Sequence, residues 1–111
     1  MLERLNKYRI MWLFTIYDLP TETKAERKEF ARFRKLLMKD GFSMLQYSVY
    51  ARHCSSRENG EVHKKRVKNG LPEKGEVMIL ELTDAQFERI EFFRGIKIKN
   101  RPNTPQQLEL F

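Results

Sequence analysis

Asp18 is the carboxylate that follows the longest apolar run of the chain, residues 10–17, and it precedes Leu19 and Pro20. Proline cannot donate to a β-ladder and disfavours helix at the residue before it, so the run must end here. Mg²⁺ takes one or two carboxylates and completes its shell with water and phosphate. A second Asp18 from a symmetry-related chain would supply the missing ligand, and the metal would polarise a phosphodiester. The alternative is that Asp18 is only the turn residue of an Asp-Leu-Pro break.

Basic side chains recur at helical spacing between residues 24 and 39. With about 100° between successive residues, five of them fall within roughly a quarter of the helix circumference: Lys24, Lys28, Arg32, Lys35 and Lys39. Phe30, Phe33 and Leu37 form the opposite, core-facing stripe, flanked by Arg27 and Arg34. The basic face predicts salt-sensitive binding of phosphates without base recognition. The alternative is an ordinary solvated helix face.

The overall charge favours the first of these interpretations. The 111 residues carry 22 Lys and Arg against 15 Asp and Glu, a formal net charge of +7. This charge favours a polyanionic partner, nucleic acid before anionic membrane.

Cys54 is the single cysteine and excludes an intramolecular disulfide. Together with His53 and His63 it lacks the four-ligand spacing of a zinc site. We find no signal peptide and no membrane-spanning run, so a cytoplasmic protein is expected.

The elements that must position these residues alternate between strands and helices. The patterns first predict a strand at 10–17, a helix from Thr23 to about Asp40 and two short strands within 42–52 that break near 46–48. They then predict a helix capped by Ser55 or Ser56, a strand within 75–83, a short helix to about Glu91 and a strand at 96–99. Thr23 and Glu26 form a capping-box pattern, which Thr83 and Gln86 repeat.

This order predicts an α+β ferredoxin-like βαββαβ sandwich with both longer helices on one face of the sheet. The ferredoxin-like domain is expected at 1–95. Residues 96–111 are expected to form an extra C-terminal strand and tail that pack on a partner subunit.

Several segments, in order over about residues 9–95, resemble the small CRISPR-associated adaptation nucleases of the Cas2 family. The segments that carry the likeness are Leu13–Thr21, Glu26–Lys28, Phe33–Lys35, Lys39–Phe42, Gln46–Tyr50, Gly75–Leu80 and Thr83–Phe87. The Glu-Arg-Lys helix and the Gln-Tyr-Ser-Val-Tyr segment are most similar to members that accompany type II systems.

The resemblance implies a ferredoxin-like homodimer that binds double-stranded prespacer DNA and, with the Cas1 integrase, captures and integrates new spacers. It also implies an endonuclease activity on RNA or DNA that depends on Mg²⁺ or Mn²⁺ shared between the subunits. The metal-binding aspartate of the family matches Asp18, and the aromatic residue before it matches Tyr17, a second catalytic candidate. The basic residues on the first helix of the family match Lys24, Arg27, Lys28 and Arg32.

Two other functions stay open at this point. One is a purely structural DNA-bridging scaffold with a vestigial nuclease site. The other is a nuclease toxin built on the same ferredoxin-like fold.

Overall fold

The first apolar run forms an interior strand, β1 (Met11–Asp18), in the computed structural model, which describes residues 11–95. It pairs antiparallel with β3 (Val49–Cys54) on one side and with β4 (Glu76–Thr83) on the other. The short strand β2 (Ser43–Gln46) pairs with β3 at the edge. The sheet order is therefore β2-β3-β1-β4, and the predicted α+β ferredoxin-like arrangement is confirmed.

The long helix α1 (Lys24–Lys39) begins and ends where the capping residues predict. The Thr23 hydroxyl accepts a hydrogen bond from the Glu26 amide, and the Glu26 carboxylate accepts one from the Thr23 amide, both at 3.0 Å. At the other end, Asp40 caps the helix and Gly41 adopts a φ of +89°, a left-handed conformation that favours glycine.

The second helix, α2 (Arg57–Asn69), follows the cap residue Ser56, one of the two predicted candidates. The third helix, α3 (Asp84–Glu88), begins at the predicted capping box but ends before the expected Glu91, because a tight turn closes it at Arg89. The predicted strand and tail within 96–111 lie outside the described residues.

The two faces of the sheet differ in what covers them. On one face, Leu13 and Tyr17 of β1 pack with Phe33 and Leu37 of α1 and with Val67 of α2. Successive residues of a strand point to opposite sides, so alternate residues of β1 and β4 form the other face. This surface, the open face, consists of Trp12, Phe14 and Ile16 with their partners Leu82, Leu80 and Met78.

The predicted break between β2 and β3 is a turn at Tyr47 and Ser48. Ser48 has a φ of 62°, in the left-handed region, and its carbonyl accepts a hydrogen bond of 3.1 Å from the Tyr17 amide. The turn is thereby attached to the end of β1 that carries Asp18.

Candidate functional site

Asp18 is the last residue of β1, and its side chain is exposed. In the antiparallel register it lies directly opposite Glu76, the first residue of β4, which is also exposed. Directly opposed residues have Cβ atoms about 5 Å apart and side chains on the same face. The strand pairing therefore gives Asp18 an acidic neighbour from its own chain. Sequence reasoning missed Glu76, because only the β1–β4 register brings the two residues together.

The chemistry of this pair fits Mg²⁺, which prefers carboxylate oxygens and keeps several water ligands. Both carboxylates are exposed, so water and a phosphate oxygen have access to them. Within residues 11–95, no group of three or more His, Cys, Asp or Glu side chains gathers where it could hold a metal ion. Two carboxylates are fewer ligands than a metal ion takes, so the described part of one subunit leaves the remaining positions to water, phosphate or another chain.

Gly75 holds the start of β4 against the end of β1. Its φ is +91°, and a Cβ at this position would lie 2.7 Å from the carbonyl oxygen of Asp18 and 2.7 Å from a methyl carbon of Leu19. A side chain here would be strained by both the backbone conformation and the lack of space. The close approach of the two strand ends therefore requires glycine.

Tyr17, the other catalytic candidate, points to the helix side of the sheet and is 5% exposed. Its ring makes an edge contact with Phe33, with centroids 5.1 Å apart. Burial, and then the neighbouring Tyr50, raise the pKa of Tyr17 far above its usual range, so the phenol is neutral at physiological pH. The structure does not bring Tyr17 and Asp18 together, since alternation along β1 places them on opposite faces. Tyr17 is thus a positioning residue that anchors the strand ending in Asp18.

The basic face of α1 is present, and four of its lysines form the surface that we call the lysine stripe: Lys24, Lys28, Lys35 and Lys39. All four are exposed, and none makes an ion pair with another residue in 11–95. Their positive charges are therefore available to an external anion.

Arg32, which the helical spacing predicts on this face, and Arg27, which the family resemblance adds to the nucleic-acid-binding residues, are engaged within the protein. Arg32 forms a two-pronged ion pair with Glu29, at 2.8 and 3.1 Å, and also donates to the Gly70 carbonyl at 3.0 Å. Its charge is largely compensated, and the three-residue spacing from Glu29 is the sequence signal that indicates this pairing. Arg27 donates to the carbonyls of Thr21 and Glu22. Those acceptors are neutral, so Arg27 keeps its charge.

The lysine stripe and the acidic pair lie on opposite sides of the molecule. The lysines are on the side of α1 away from Phe33 and Leu37, which face the sheet. Asp18 and Glu76 are instead at the rim of the open face. A nucleic acid lying flat on the stripe would not reach the acidic pair of the same subunit.

The open face itself is apolar and partly exposed. Met78 is 57% and Leu80 is 41% exposed. At the end far from Asp18, α3 covers the face: the Phe87 ring stacks on Trp12 at 3.8 Å, and the Trp12 indole donates to Asp84 at 2.8 Å. The rest of this surface is of the kind that soluble proteins usually bury against a partner.

A buried ionic cluster joins the end of α1 to α2. Asp40 accepts hydrogen bonds from His63 and from Arg66, each at 2.8 Å, and the Asp40 and His63 side chains are only 10% and 7% exposed. Burial raises the pKa of the Asp40 carboxyl, but the hydrogen bonds from Arg66 and His63 together outweigh burial and lower it. The cluster fixes the packing of the two helices.

Fold and site together define a ferredoxin-like domain with an acidic strand end and a cationic helix, a combination suited to phosphodiesters. The sequence profile of the family described as "CRISPR associated protein Cas2" matches residues 11–90. The chain belongs to this family of CRISPR-associated nucleases.

Individual relatives agree with this assignment. The chain is 53% identical over 108 residues to the CRISPR-associated endoribonuclease Cas2 of Flavobacterium psychrophilum, covering 97% of this chain and 94% of the relative. It is 52% identical over 101 residues to the Parvibaculum lavamentivorans protein of the same name, covering 91% and 100%. The crystal structure of Streptococcus pyogenes Cas2 at pH 6.5 superposes with a TM-score of 0.57 at 27% identity, covering 75% of this chain and 99% of that one.

No helix within residues 11–95 is both long and apolar enough to cross a lipid bilayer.

Proposed function

We propose that this protein is a metal-dependent endonuclease whose metal is held by Asp18 together with Glu76 and shared with a second subunit. The single observation that supports this proposal is the exposed Asp18 carboxylate facing Glu76 across β1 and β4, at the rim of an exposed apolar surface. Relatives about half identical to this chain carry the name endoribonuclease.

The homodimer is part of the proposal. A twofold pairing uses the same patch on both subunits, and the open face offers a patch in which Ile16, Met78 and Leu80 lie side by side. Packing two open faces would bring the acidic pairs of both subunits to the same dimer interface. Four carboxylates at this interface would supply the metal ligands that a single subunit lacks.

In the proposed reaction, bound Mg²⁺ or Mn²⁺ would polarise the phosphodiester and lower the pKa of a coordinated water. The chain contributes the rest. Asp18 and Glu76 hold the metal, Tyr17 anchors β1 from the core side, and Gly75 lets the two strand ends approach. The lysine stripe and Arg27 supply charge that attracts and retains the polyanion.

We further propose that the protein binds double-stranded prespacer DNA and acts with the Cas1 integrase in capturing new spacers. The lysine stripe supports the DNA interaction, since its charges are unpaired within residues 11–95. Its separation from the acidic pair favours a second candidate function, a DNA-bridging scaffold in which hydrolysis is incidental.

One substitution tests the nuclease proposal and separates the two functions. Asp18→Ala is expected to abolish cleavage of RNA and duplex DNA by the purified dimer in Mg²⁺ or Mn²⁺, while spacer acquisition in cells stays largely intact. Glu58→Ala, which removes an exposed carboxylate on α2, is the control and should cleave normally. Full activity of Asp18→Ala would refute the metal site. Loss of acquisition with dimerisation intact would instead refute the scaffold function.

A further inference from the structure

Tyr47 is a large aromatic side chain that the fold leaves open to solvent. It lies at the tip of the β2–β3 turn and is 68% exposed. One side of the ring stacks on Phe30 of α1, with centroids 5.9 Å apart and planes inclined by 26°. The hydroxyl makes no hydrogen bond to another residue in 11–95. The second side of the ring is therefore free to receive a planar group.

The backbone holds this ring beside the acidic strand end. The Tyr17 amide donates to the Ser48 carbonyl at 3.1 Å. Tyr47 and Asp18 are each one residue from that bond, and one residue advances the Cα position by about 3.8 Å. Ser48 takes up the left-handed conformation that the turn needs, with a φ of 62°. Tyr47 and Asp18 thus lie at the same end of the paired strands β1 and β3, Tyr47 on the helix side of the sheet and Asp18 on the open face.

Two cations frame the aromatic pair. Arg27 and Arg34 lie three residues before and four residues after Phe30, the spacings at which helix side chains are neighbours. Both are exposed. Arg27 is held in place by two carbonyls of the loop between β1 and α1. Arg34 is close enough to Tyr17 to oppose the rise in its pKa that burial causes.

We infer that Tyr47 is a stacking platform for an unpaired nucleobase, which places the adjoining phosphodiester at the acidic strand end. Base–aromatic stacking is tolerant of sequence because every base has a π-face. Arginines beside the stacked bases supply charge to the backbone and cation–π contact. This inference rests on the proposed nuclease function and adds to it a base-binding residue, Tyr47, at the β2–β3 turn.

The surroundings of the ring favour a nucleic acid over a protein partner. A protein-docking aromatic is usually surrounded by other apolar surface with charged residues kept to the rim. Tyr47 instead adjoins exposed Gln46 in sequence and shares its side of α1 with Arg27 and Arg34. If the ring served only to cover Phe30, an aliphatic side chain would do equally well, and this gives the test its contrast.

The experiment compares two substitutions of Tyr47, to Phe and to Leu, in the whole protein. The probes are single-stranded and fully paired oligonucleotides, as DNA and as RNA, that contain the fluorescent base 2-aminopurine. Tyr47→Phe keeps the ring and should bind within about twofold of wild type. Tyr47→Leu still covers Phe30 but has no π-face. It should lose roughly tenfold in affinity for the unpaired probe together with its stacking-induced quenching.

The salt dependence identifies the contribution that was lost. Since stacking releases no counterions, Tyr47→Leu should leave the slope of log affinity against log salt unchanged, unlike a lysine-stripe variant. Met38→Ala is the matched control and should bind normally, because it truncates an exposed apolar side chain at a different place, on α1. Thermal unfolding by circular dichroism checks the fold of each variant. Tyr47→Gln replaces the leucine variant if that one unfolds.

The outcomes distinguish this inference from the proposal on which it rests. If Tyr47→Leu binds the unpaired probe with wild-type affinity and quenching while Asp18→Ala still abolishes cleavage, the stacking platform alone is overturned. Absence of binding to every probe by the wild-type protein would overturn both. Equal losses for paired and unpaired probes would overturn the platform as well, because a paired base cannot enter a stack outside its duplex.

Discussion

The lysine stripe makes a quantitative prediction about salt. Each phosphate contact on duplex DNA contributes about 0.9 to the slope of log affinity against log salt. Lys28 and Lys35 are exposed and have no ion pair within residues 11–95. The double substitution Lys28→Ala with Lys35→Ala should therefore flatten the slope by about 1.8. As a result, the ratio of wild-type to variant affinity for duplex DNA should fall roughly tenfold between about 50 and about 200 mM salt.

Arg32 gives the contrast within the same helix. Its guanidinium is already paired with Glu29 and bonded to the Gly70 carbonyl, so Arg32→Ala should change the slope by much less than either lysine. Lys68→Ala on α2 is the control matched in charge to Arg32→Ala, since each removes one exposed cation. Fluorescence anisotropy with duplex DNA at several salt concentrations measures all four proteins. An unchanged slope in the double variant, or an equal change in the Lys68 control, would refute the stripe as the DNA-binding surface.

Three further outcomes are expected. Asp18→Asn should abolish, and Glu76→Gln should weaken, Mn²⁺ binding measured by titration calorimetry, because each removes a charged ligand; unchanged binding in both variants would contradict the metal assignment. Asp40→Ala should lower the free energy of unfolding by about 3 kcal/mol in urea, since it leaves Arg66 and His63 without their buried partner. Because the pKa of Asp40 is lowered by folding, wild-type stability should also fall as the pH drops below about 4, and the variant should lose that part of the dependence. Leu80→Arg should convert the proposed dimer to monomer in sedimentation velocity, because it would place an unpaired charge in the interface, and a variant that stays dimeric would exclude the open face as that interface.

Much of this fold is predictable from short-range patterns. The capping boxes at Thr23 and Thr83 are complete within four residues, so they locate the starts of α1 and α3 correctly. β1 is recognisable because it is apolar on both sides, which only an interior strand tolerates. The end of α3 comes three residues before the predicted one, since so short a helix depends on the turn that closes it rather than on a periodic pattern.

The candidate site is only partly predictable, because its chemistry depends on pairing over long distances. The position of Asp18 after a buried strand identifies it, but Glu76 becomes its neighbour only through the β1–β4 register. The same limit hides the Asp40 cluster, whose partners come from α2. Tyr17 is different: strand alternation alone indicates that it and Asp18 face opposite sides, whereas the family likeness groups them.

Gly75 has a consequence for how this protein tolerates change. Exposed loop positions usually accept almost any residue, and Gly75 is exposed. Yet its φ is left-handed, and a side-chain carbon added there would approach the Asp18 carbonyl oxygen to 2.7 Å, which leaves no room for a substituent. In a library of every single substitution, replacements of Gly75 should be as damaging as replacements of the fully buried Leu13. Position 75 would then be a surface position that is as restricted in residue type as the core.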